Sequence, residues 1–390
     1  MSLEETAAAA TLTALTGSAR AVFRSLVLDG PATRPQIGAL LGLSRPTMSA
    51  AIAELERPGY VEMIGMVRGA LGRGAARYRV GQAAGHVIAV DAGSTHVSLR
   101  VSTLDRRLLH SRARRFEASH HAINAETSRI VAEEVAAARQ AAEPGWGPLR
   151  VLGIAVPTRV VGPEGDARAS RQDVVFSAFR PPPGAEIVLE NNVNCAAVAE
   201  RLYGAAQDEA TFAYVQVGLK IGMGLVIGDQ LIRGRNGAAG EIGHLSFPFG
   251  PGLDPQPGAA ELYLGSEALL DRIRAGWPAG AGPAPTDTAA LFALAEAGHP
   301  VARDHVAGHA AAIGAIVASC VSVIDPGVVV LGGGLGASPL LLPGVRATVE
   351  RLSYAAEIRG SLLGLDATVL GIERLAIVRA LAHILDDPRA

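Results

Sequence analysis

Residues 218–245 read GLKIGMGLVIGDQLIRGRNGAAGEIGHL, and this stretch decides the fold of the chain. Together with the preceding FAYVQV it predicts a strand, a glycine-containing turn and a second strand, because short apolar runs flank the glycines. Glycine recurs through the stretch, at positions 222, 224, 234, 237, 240 and 243. A glycine-rich loop alone is a weak indication of function, so its meaning depends on the rest of the chain.

A similar arrangement occurs earlier in the chain. Residues 85–116, GHVIAVDAGSTHVSLRVSTLDRRLLHSRARRF, alternate like successive strands with turns at 91–95 and near Asp105. A helical pattern and a buried strand, VLGIAVPTRVV, follow. Two halves thus each open with a hairpin whose turn carries glycine and hydroxyl or charged residues. This duplication predicts two α/β lobes that face a cleft.

The chain divides into four predicted segments. An alanine-rich, flexible N-terminal segment (1–17) precedes a small head (18–82). The first lobe spans 85–195 and is joined by a C-terminal helix, 374–388. The second lobe spans 196–373, and 390 residues are ample for these cores.

Composition excludes several classes of protein. The hydrophobic content of 49% with 18% charged residues is typical of a folded, soluble chain. Two cysteines, Cys195 and Cys320, are too few for a disulfide framework and fit a reducing cytoplasm. The first residues make a poor secretory signal, and runs such as VVVLGGGLG are too short to cross a membrane. We therefore expect a cytoplasmic protein with no membrane partner.

The head has the pattern of a winged helix-turn-helix. After a first helix, Thr33 and Gln36 form a capping-box arrangement, and Gly42 allows a tight turn. Ser44 then caps a helix, RPTMSAAIAELE, and two strands around a glycine-rich tip follow. The alternative is a three-helix packing module used for dimerisation.

In a winged helix-turn-helix the second helix of the pair enters the DNA major groove, and its first residues meet the base edges. Residues 1–80 hold nine arginines against six acidic residues, although the whole chain has a net charge of −2. Such a local patch suits phosphate contacts that position the protein without specifying sequence. The predicted DNA-binding residues are Arg34, Ser44, Arg45, Pro46, Thr47, Ser49, Arg68, Arg73 and Arg77.

Taken together, these motifs resemble the ROK family over roughly residues 18–385. The glycine spacing of residues 218–245 and the GEIGH ending carry the resemblance, and the preceding winged helix strengthens it. The family covers repressors and sugar kinases on the two-lobed actin-like ATPase fold. Many members with this head repress sugar-utilisation genes and take a sugar or sugar phosphate as effector.

The resemblance implies a sugar pocket in the cleft. The family motif Asn-Asp-x-Asn matches residues 191–194, and the acid of a later motif matches Glu261. Carboxylates accept hydrogen bonds from sugar hydroxyls, and an Asn amide both donates and accepts. The alternative is that the acids are solvated and His244 is a core histidine. The predicted effector-binding residues are Asn191, Asn192, Glu241, His244 and Glu261.

Position 192 indicates a sensor and not a catalyst. In the kinases of the family this residue is an aspartate that acts as general base on the sugar hydroxyl. Asn192 cannot take a proton near neutral pH, and loss of a positioned base removes roughly 10²–10⁴ of rate. Glu190 is close, but neighbours in a strand point to opposite faces.

The phosphate turns of the fold also depart from the kinase pattern. The first turn, DAGST (91–95), is mostly intact, whereas the second turn, GLKIG (218–222), has Leu219 for a hydroxyl residue and Lys220 for a glycine. Lys220, the only lysine, either pairs with Asp91, binds an anion or lies at the surface. ATP binding is therefore not expected. The residues of these degenerate phosphate turns are Asp91, Gly93, Thr95, Gly218, Lys220 and Gly222.

The family's zinc site is also missing. Residues 243–266 contain none of the three cysteines that accompany the GEIGH histidine, so we expect no metal and no cofactor. The prediction is a homodimeric or tetrameric transcriptional regulator that binds double-stranded operator DNA and a sugar effector. The alternatives are an ATP-dependent sugar kinase with a fused head, and a constitutive DNA-binding protein that has lost its ligand.

Overall fold

The computed structural model describes residues 15–68, 74–116, 125–162, 172–246, 254 and 256–385. The head is the predicted winged helix-turn-helix, with three helices and a three-stranded sheet of order β1-β3-β2. Its elements are α1 (Gly17–Leu28), β1 (Ala32–Thr33), α2 (Arg34–Leu41), α3 (Arg45–Glu56), β2 (Val61–Arg68) and β3 (Gly74–Val80).

Local capping explains why the helices of the head begin and end where they do. The Thr33 hydroxyl accepts from the Gln36 backbone while the Gln36 side chain accepts from the Thr33 N–H, so the capping box is confirmed. Gly42 ends α2 in the left-handed region at φ 65°. The Ser44 hydroxyl caps α3 by accepting from the Thr47 N–H.

The predicted flexible segment 1–17 is wrong for its last three residues. Leu15 is buried in the core of the head, and Gly17 already belongs to α1. The Thr16 N–H and hydroxyl donate to the two Glu54 carboxylate oxygens, each at 2.8 Å. These contacts tie the start of α1 to α3. Residues 1–14 lie outside the described residues.

The two lobes have sheets of the same design. The sheet orders are β6-β5-β4-β7-β8 and β11-β10-β9-β12-β13. In each sheet the first three strands are antiparallel and the last two join in parallel. The duplication predicted from the sequence is therefore present. The first lobe contains β4 (His86–Ala92), β5 (His96–Thr103), β6 (Leu108–Arg115), α4 (Ala125–Gln140), β7 (Leu149–Val156) and β8 (Glu186–Asn191).

The remaining elements follow in chain order. They are α5 (Asn192–Tyr203), β9 (Phe212–Val217), β10 (Ile221–Ile227), β11 (Gln230–Ile232), α6 (Ala259–Leu264), α7 (Ser266–Gly276), α8 (Thr288–Glu296), α9 (Pro300–Ile324), β12 (Val328–Gly332), α10 (Gly333–Gly336), α11 (Leu342–Leu352), β13 (Glu357–Gly360) and α12 (Ala367–Leu385). Short 3₁₀ turns connect several of them.

Two crossing helices join the lobes. α5 packs on the second sheet, where a Cβ at Gly224 would lie 2.8 Å from the Val193 carbonyl oxygen. α12 packs on the first sheet, where a Cβ at Gly153 would lie 2.9 Å from Ile372. Glycine on each strand thus lets a helix approach closely. The C-terminal helix was predicted at 374–388 and begins seven residues earlier, at Ala367, while 386–388 lie outside the described residues.

The head shares one apolar core with the first lobe. Phe23 of α1 and Tyr78 of β3 belong to the same buried cluster as Ile377 and Leu381 of α12. Arg150 of β7 adds polar contacts, because its guanidinium donates to the backbone carbonyls of residues 83 and 84 at 2.7 and 3.0 Å. The cluster and these bonds join the head to the first lobe.

Among the described residues, one helix, α9, is long and apolar enough to cross a membrane by length and composition. Half of its most apolar window is buried inside the protein. Ile313 and Val317 of α9 lie in the main core of the second lobe, together with Val345 of α11. Packing in this core accounts for the apolar character of the buried half.

Candidate effector cleft and DNA-binding face

A cleft of about 1020 Å³ lies between the lobes. The first turn, the start of α5, the second turn and the loop that ends in His244 contribute to its walls. Every residue predicted for effector binding or for the phosphate turns lines this cleft. These residues are Asn191, Asn192, Glu241, His244 and Glu261, with Asp91, Gly93, Thr95, Gly218, Lys220 and Gly222.

The start of α5 uses its two asparagines differently. The Asn191 side chain caps the helix, because its oxygen accepts from the Val193 N–H at 2.9 Å and the Asn194 N–H at 3.3 Å. Its amide nitrogen donates to the Thr158 carbonyl at 3.2 Å. Within the described residues, the Asn192 side chain makes no hydrogen bond. Its amide is therefore available to a ligand.

Glu190 does not line the cleft. Its buried carboxylate accepts from Arg233 Nε at 2.6 Å, from Asn194 Nδ2 at 3.0 Å and from the Asn191 N–H at 2.9 Å. Charge-assisted bonds of this kind are strong and fix the orientation of the carboxylate. The strand therefore turns Glu190 away from the cleft, as the alternation of side chains predicted.

Glu241 and Glu261, the two acids predicted to bind the effector, lie near positively charged side chains. Burial raises the pKa of Glu241, and the nearby Glu261 carboxylate raises this pKa further. His244, Arg159 and Lys220 oppose this shift. The site can thus offer carboxylate oxygens to sugar hydroxyls, next to positively charged hydrogen-bond donors. Sequence reasoning missed Arg159, which follows the PT dipeptide after β7.

Lys220 pairs with Glu261, its Nζ lying 3.6 Å from the Glu261 Oε1 atom. The alternative in which it pairs with Asp91 is wrong. Asp91 instead contacts His96, with 3.0 Å between the Oδ2 and Nε2 atoms. This hydrogen bond is the main reason that the pKa of His96 is raised. The sequence signal for His96 was an imidazole five residues after Asp91, across a tight turn.

Lys220 fits in the second turn without backbone strain. Only three described non-glycine residues have a positive φ, and Lys220 is not among them.

Within the described residues, no group of three or more His, Cys, Asp or Glu side chains converges on a point that could hold a metal ion. Residues 247–253, which follow the GEIGH motif, lie outside this description.

The exposed face of α3 contains the residues predicted to meet DNA bases. Met48, Ile52 and Leu55 are buried on the opposite face. Three more exposed residues continue this face. Sequence reasoning missed them, although they follow one another at intervals of three and four residues, which is the spacing of one helix face. The predicted residues are Ser44, Arg45, Pro46, Thr47 and Ser49, and the additional ones are Ala50, Ala53 and Arg57.

The predicted phosphate-binding arginines occupy different surroundings. Arg34 donates to the Tyr78 hydroxyl and lies 4.0 Å from a Glu56 oxygen, so it also links α2 to its neighbours. Arg77 is exposed and donates to the Pro31 carbonyl at 3.2 Å. The Arg68 side chain and Arg73 lie outside the described residues. DNA contact by this set stays a prediction.

The family assignment follows from the chain's similarity to known proteins. A family model described as "ROK family" matches residues 87–361, which is more than half of the chain. The protein belongs to the ROK family. The xylose repressor of Bacillus spizizenii is 24% identical over 379 residues, covering 94% of this chain and 95% of the repressor.

Solved structures agree on the fold. A ROK family transcriptional regulator, described as a homologue of the E. coli MLC protein, has a TM-score of 0.71 at 21% identity and covers 94% of this chain and 96% of its own. A ROK glucokinase from Streptomyces griseus, solved with glucose and AMPPNP, has a TM-score of 0.61 at 26% identity. It covers 75% of this chain and 99% of its own. The regulator covers more of this chain than the glucokinase does, and the difference is similar in length to the head.

Proposed function

We propose that this ROK protein is a DNA-binding transcriptional repressor of sugar-utilisation genes. A sugar or sugar derivative bound in the cleft is its effector, and it has no kinase activity. The observation that carries the proposal is one chain that has an exposed helix in a winged helix-turn-helix head, an apolar core shared by that head with the first lobe and α12, and a cleft with sugar-type side chains between the lobes. Similarity to xylose repressors over nearly the whole chain supports it.

The proposed mechanism couples the angle between the lobes to the head. A sugar held by Asn192 of the predicted first lobe and Glu241 of the second lobe favours one angle between the lobes. In a homodimer, this angle sets the distance between two recognition helices that must reach half-sites about one DNA turn apart. The effector shifts occupancy only by binding one state more tightly, and about 1–3 kcal/mol of coupling is typical.

Three features argue against phosphoryl transfer. Asn192 supplies an amide where a general base is needed. Leu219 and Lys220 replace the small residues that let backbone N–H groups approach a triphosphate. Asp91 is already engaged by His96. The related glucokinase favours the second candidate, a kinase with a fused head, and an assay of wild-type turnover separates the two.

The test is retardation of the protein's own promoter DNA by purified protein, over a salt series. We expect salt-dependent retardation, reversed by one member of a panel of D-xylose, D-glucose, N-acetylglucosamine and glucose 6-phosphate. Arg45→Ala should weaken binding by about 1–3 kcal/mol if Arg45 reads a base. Arg274→Ala, on an exposed face of the second lobe, is the control. Absence of retardation at every salt concentration contradicts the proposal.

A coupled assay for ADP release with the same sugars tests the second candidate. We expect no turnover for the wild type or for Asn192→Asp, since the second turn remains altered. Turnover in the wild type would favour the kinase. Thermal shift with each sugar separates a sensor from a relic, because a ligand at 100 times its dissociation constant adds about 2.7 kcal/mol of stability.

A further inference from the structure

The second turn is bound through its backbone to the helix pair that follows the GEIGH loop. The Ser266 N–H donates to the Gly218 carbonyl at 3.0 Å. A Cβ at Gly265 would lie 2.7 Å from the Leu219 carbonyl oxygen, so a side chain there would separate the two segments. The turn that faces a triphosphate in a kinase is thereby fixed against the junction of α6 and α7.

This docking brings a lysine to an effector-site acid. Lys220 Nζ lies 3.6 Å from Glu261 Oε1, and the two side chains are 31% and 33% exposed. Both residues line the cleft. Glu261 also packs on the GEIGH segment, since its Oε2 would be 3.2 Å from a Cβ at Gly243. The Lys220 ammonium thus lies between the second turn and the residues predicted to bind the effector.

We propose that Lys220 is a positioning and specificity residue of the effector site. Its ammonium orients the Glu261 carboxylate so that it accepts a hydrogen bond from a sugar hydroxyl. The same positive charge offsets the negative charge of Glu261 and Glu241. This inference rests on the proposed function. It gives a role to a residue that the family resemblance placed in a degenerate phosphate turn. It also favours a neutral sugar, since Lys220 already has a carboxylate partner.

If Lys220 had only a structural role, its removal would lower stability and leave sugar affinity unchanged. The ion pair with Glu261 adds little to stability, because both partners are about one-third exposed. Lys220→Met should therefore leave the unfolding temperature almost unchanged. A hydrogen bond to a charged group is stronger than one between neutral groups, so misplacing the acceptor should lower sugar affinity by roughly tenfold or more.

Calorimetric titration with the four sugars tests the affinity. We expect Lys220→Met to bind the active sugar about tenfold more weakly, and Lys220→Arg to recover most of the affinity because it keeps the charge. Arg274→Met removes a cation from the same lobe outside the cleft and should match the wild type. Wild-type affinity in Lys220→Met would overturn the proposal, as would loss of glucose 6-phosphate binding with neutral sugars unaffected.

The pH profile supplies a readout that packing alone would not change. The charged groups that face Glu241 are His244, Arg159, Glu261 and Lys220, and burial already raises the Glu241 pKa. Removing Lys220 takes away one opposing cation, so Glu241 keeps its proton to a higher pH. Sugar affinity of Lys220→Met should therefore begin to fall at a higher pH than wild-type affinity as pH is lowered. Parallel profiles would count against the proposal.

Because the chain has one lysine, a ligand-free measurement is also possible. Reductive methylation with ¹³C-formaldehyde labels Lys220 and the N-terminal amine and keeps the charge. We expect the Lys220 methyl signal to change position when Glu261→Gln removes its carboxylate partner. A signal that Glu261→Gln leaves unchanged overturns the pairing. If no sugar binds the wild type, the effector proposal fails, while this measurement still decides whether Lys220 pairs with Glu261.

Discussion

The first and second turns occupy the same place in sheets of the same strand order, yet they bind different neighbours. The first turn closes on itself, through the contact between Asp91 and His96 in one hairpin. The second turn binds outward, through the Gly218 carbonyl and Lys220 to α6 and α7. The same backbone scaffold therefore keeps one turn self-contained and ties the other to α6 and α7.

This contrast extends to the lobes that carry the turns. The first lobe, α12 and the head share an apolar core, so we expect them to move as a unit. The second lobe holds Glu241 and Glu261 and reaches the first through the crossing of α5 and α12. A ligand that touches both lobes acts across this crossing, and α12, with 19 residues, spans roughly 28 Å from the cleft to the head.

The largest effect is expected where the two helices cross. A Cβ at Gly371 of α12 would lie 1.8 Å from the Cys195 carbonyl oxygen of α5. Because that oxygen is backbone, Gly371→Ala must push the helices apart, and we expect a loss of about 2–3 kcal/mol in the free energy of unfolding. Urea unfolding of the two proteins measures the difference.

Gly308→Ala in α9 is the matched control. Nothing lies within 4 Å of a Cβ at Gly308, and this helical glycine has no positive φ. The same substitution should therefore stabilise the protein by about 0.5–1 kcal/mol through helix propensity. If both variants shifted stability in the same direction, the crossing would not be the tight joint between the lobes.

Sequence reasoning predicted the head closely because its signals are local. Thr33, Gly42 and Ser44 each act on backbone groups within a few residues, so capping chemistry is readable in the sequence. The start of α12 was not predicted, since its first turn contains Thr368 and Gly371, residues of low helix propensity. Contact of Gly371 with α5 favours the helix there, and that contact joins segments far apart in the chain.

A smaller effect separates the two turns. A Cβ at Gly93 would lie 2.8 Å from His96 Cε1 and 3.1 Å from the His96 carbonyl oxygen, whereas a Cβ at Gly218 would meet nothing closer than 3.5 Å. We expect Gly93→Ala to cost about 1–2 kcal/mol and Gly218→Ala to stay within about 0.5 kcal/mol. Thermal unfolding compares them, and equal costs would remove the distinction between a closed and an open turn.

The motif identified which residues line the cleft but not which residues pair within it. Asn192, Glu241 and Glu261 belong to recognisable patterns, and the shared sheet design brings them together. The partner of Lys220 depends on how α6 and α7 dock against the second turn, and no local pattern specifies this. His96 was missed because a histidine beside a turn is common, and only its distance to Asp91 gives it a role.

The smallest effect concerns the pH dependence of the first turn. The hydrogen bond from Asp91 raises the pKa of His96 above its ordinary value of 6.5. Protonated His96 therefore adds stability that is fully present below the unfolded-state pKa and is lost as pH rises through the folded-state pKa. We expect His96→Gln to cost under about 1 kcal/mol at about pH 5.5 and less at about pH 8.5.

Urea unfolding of the wild type and His96→Gln at both pH values measures this difference. Lys220→Met is the control from the second turn, because a lysine keeps its charge across this range and its pair should show no such pH step. A penalty for His96→Gln that grew with pH would mean that neutral His96 is the favoured partner of Asp91. The first turn would then be held by a neutral hydrogen bond, and its contrast with the charged second turn would be sharper still.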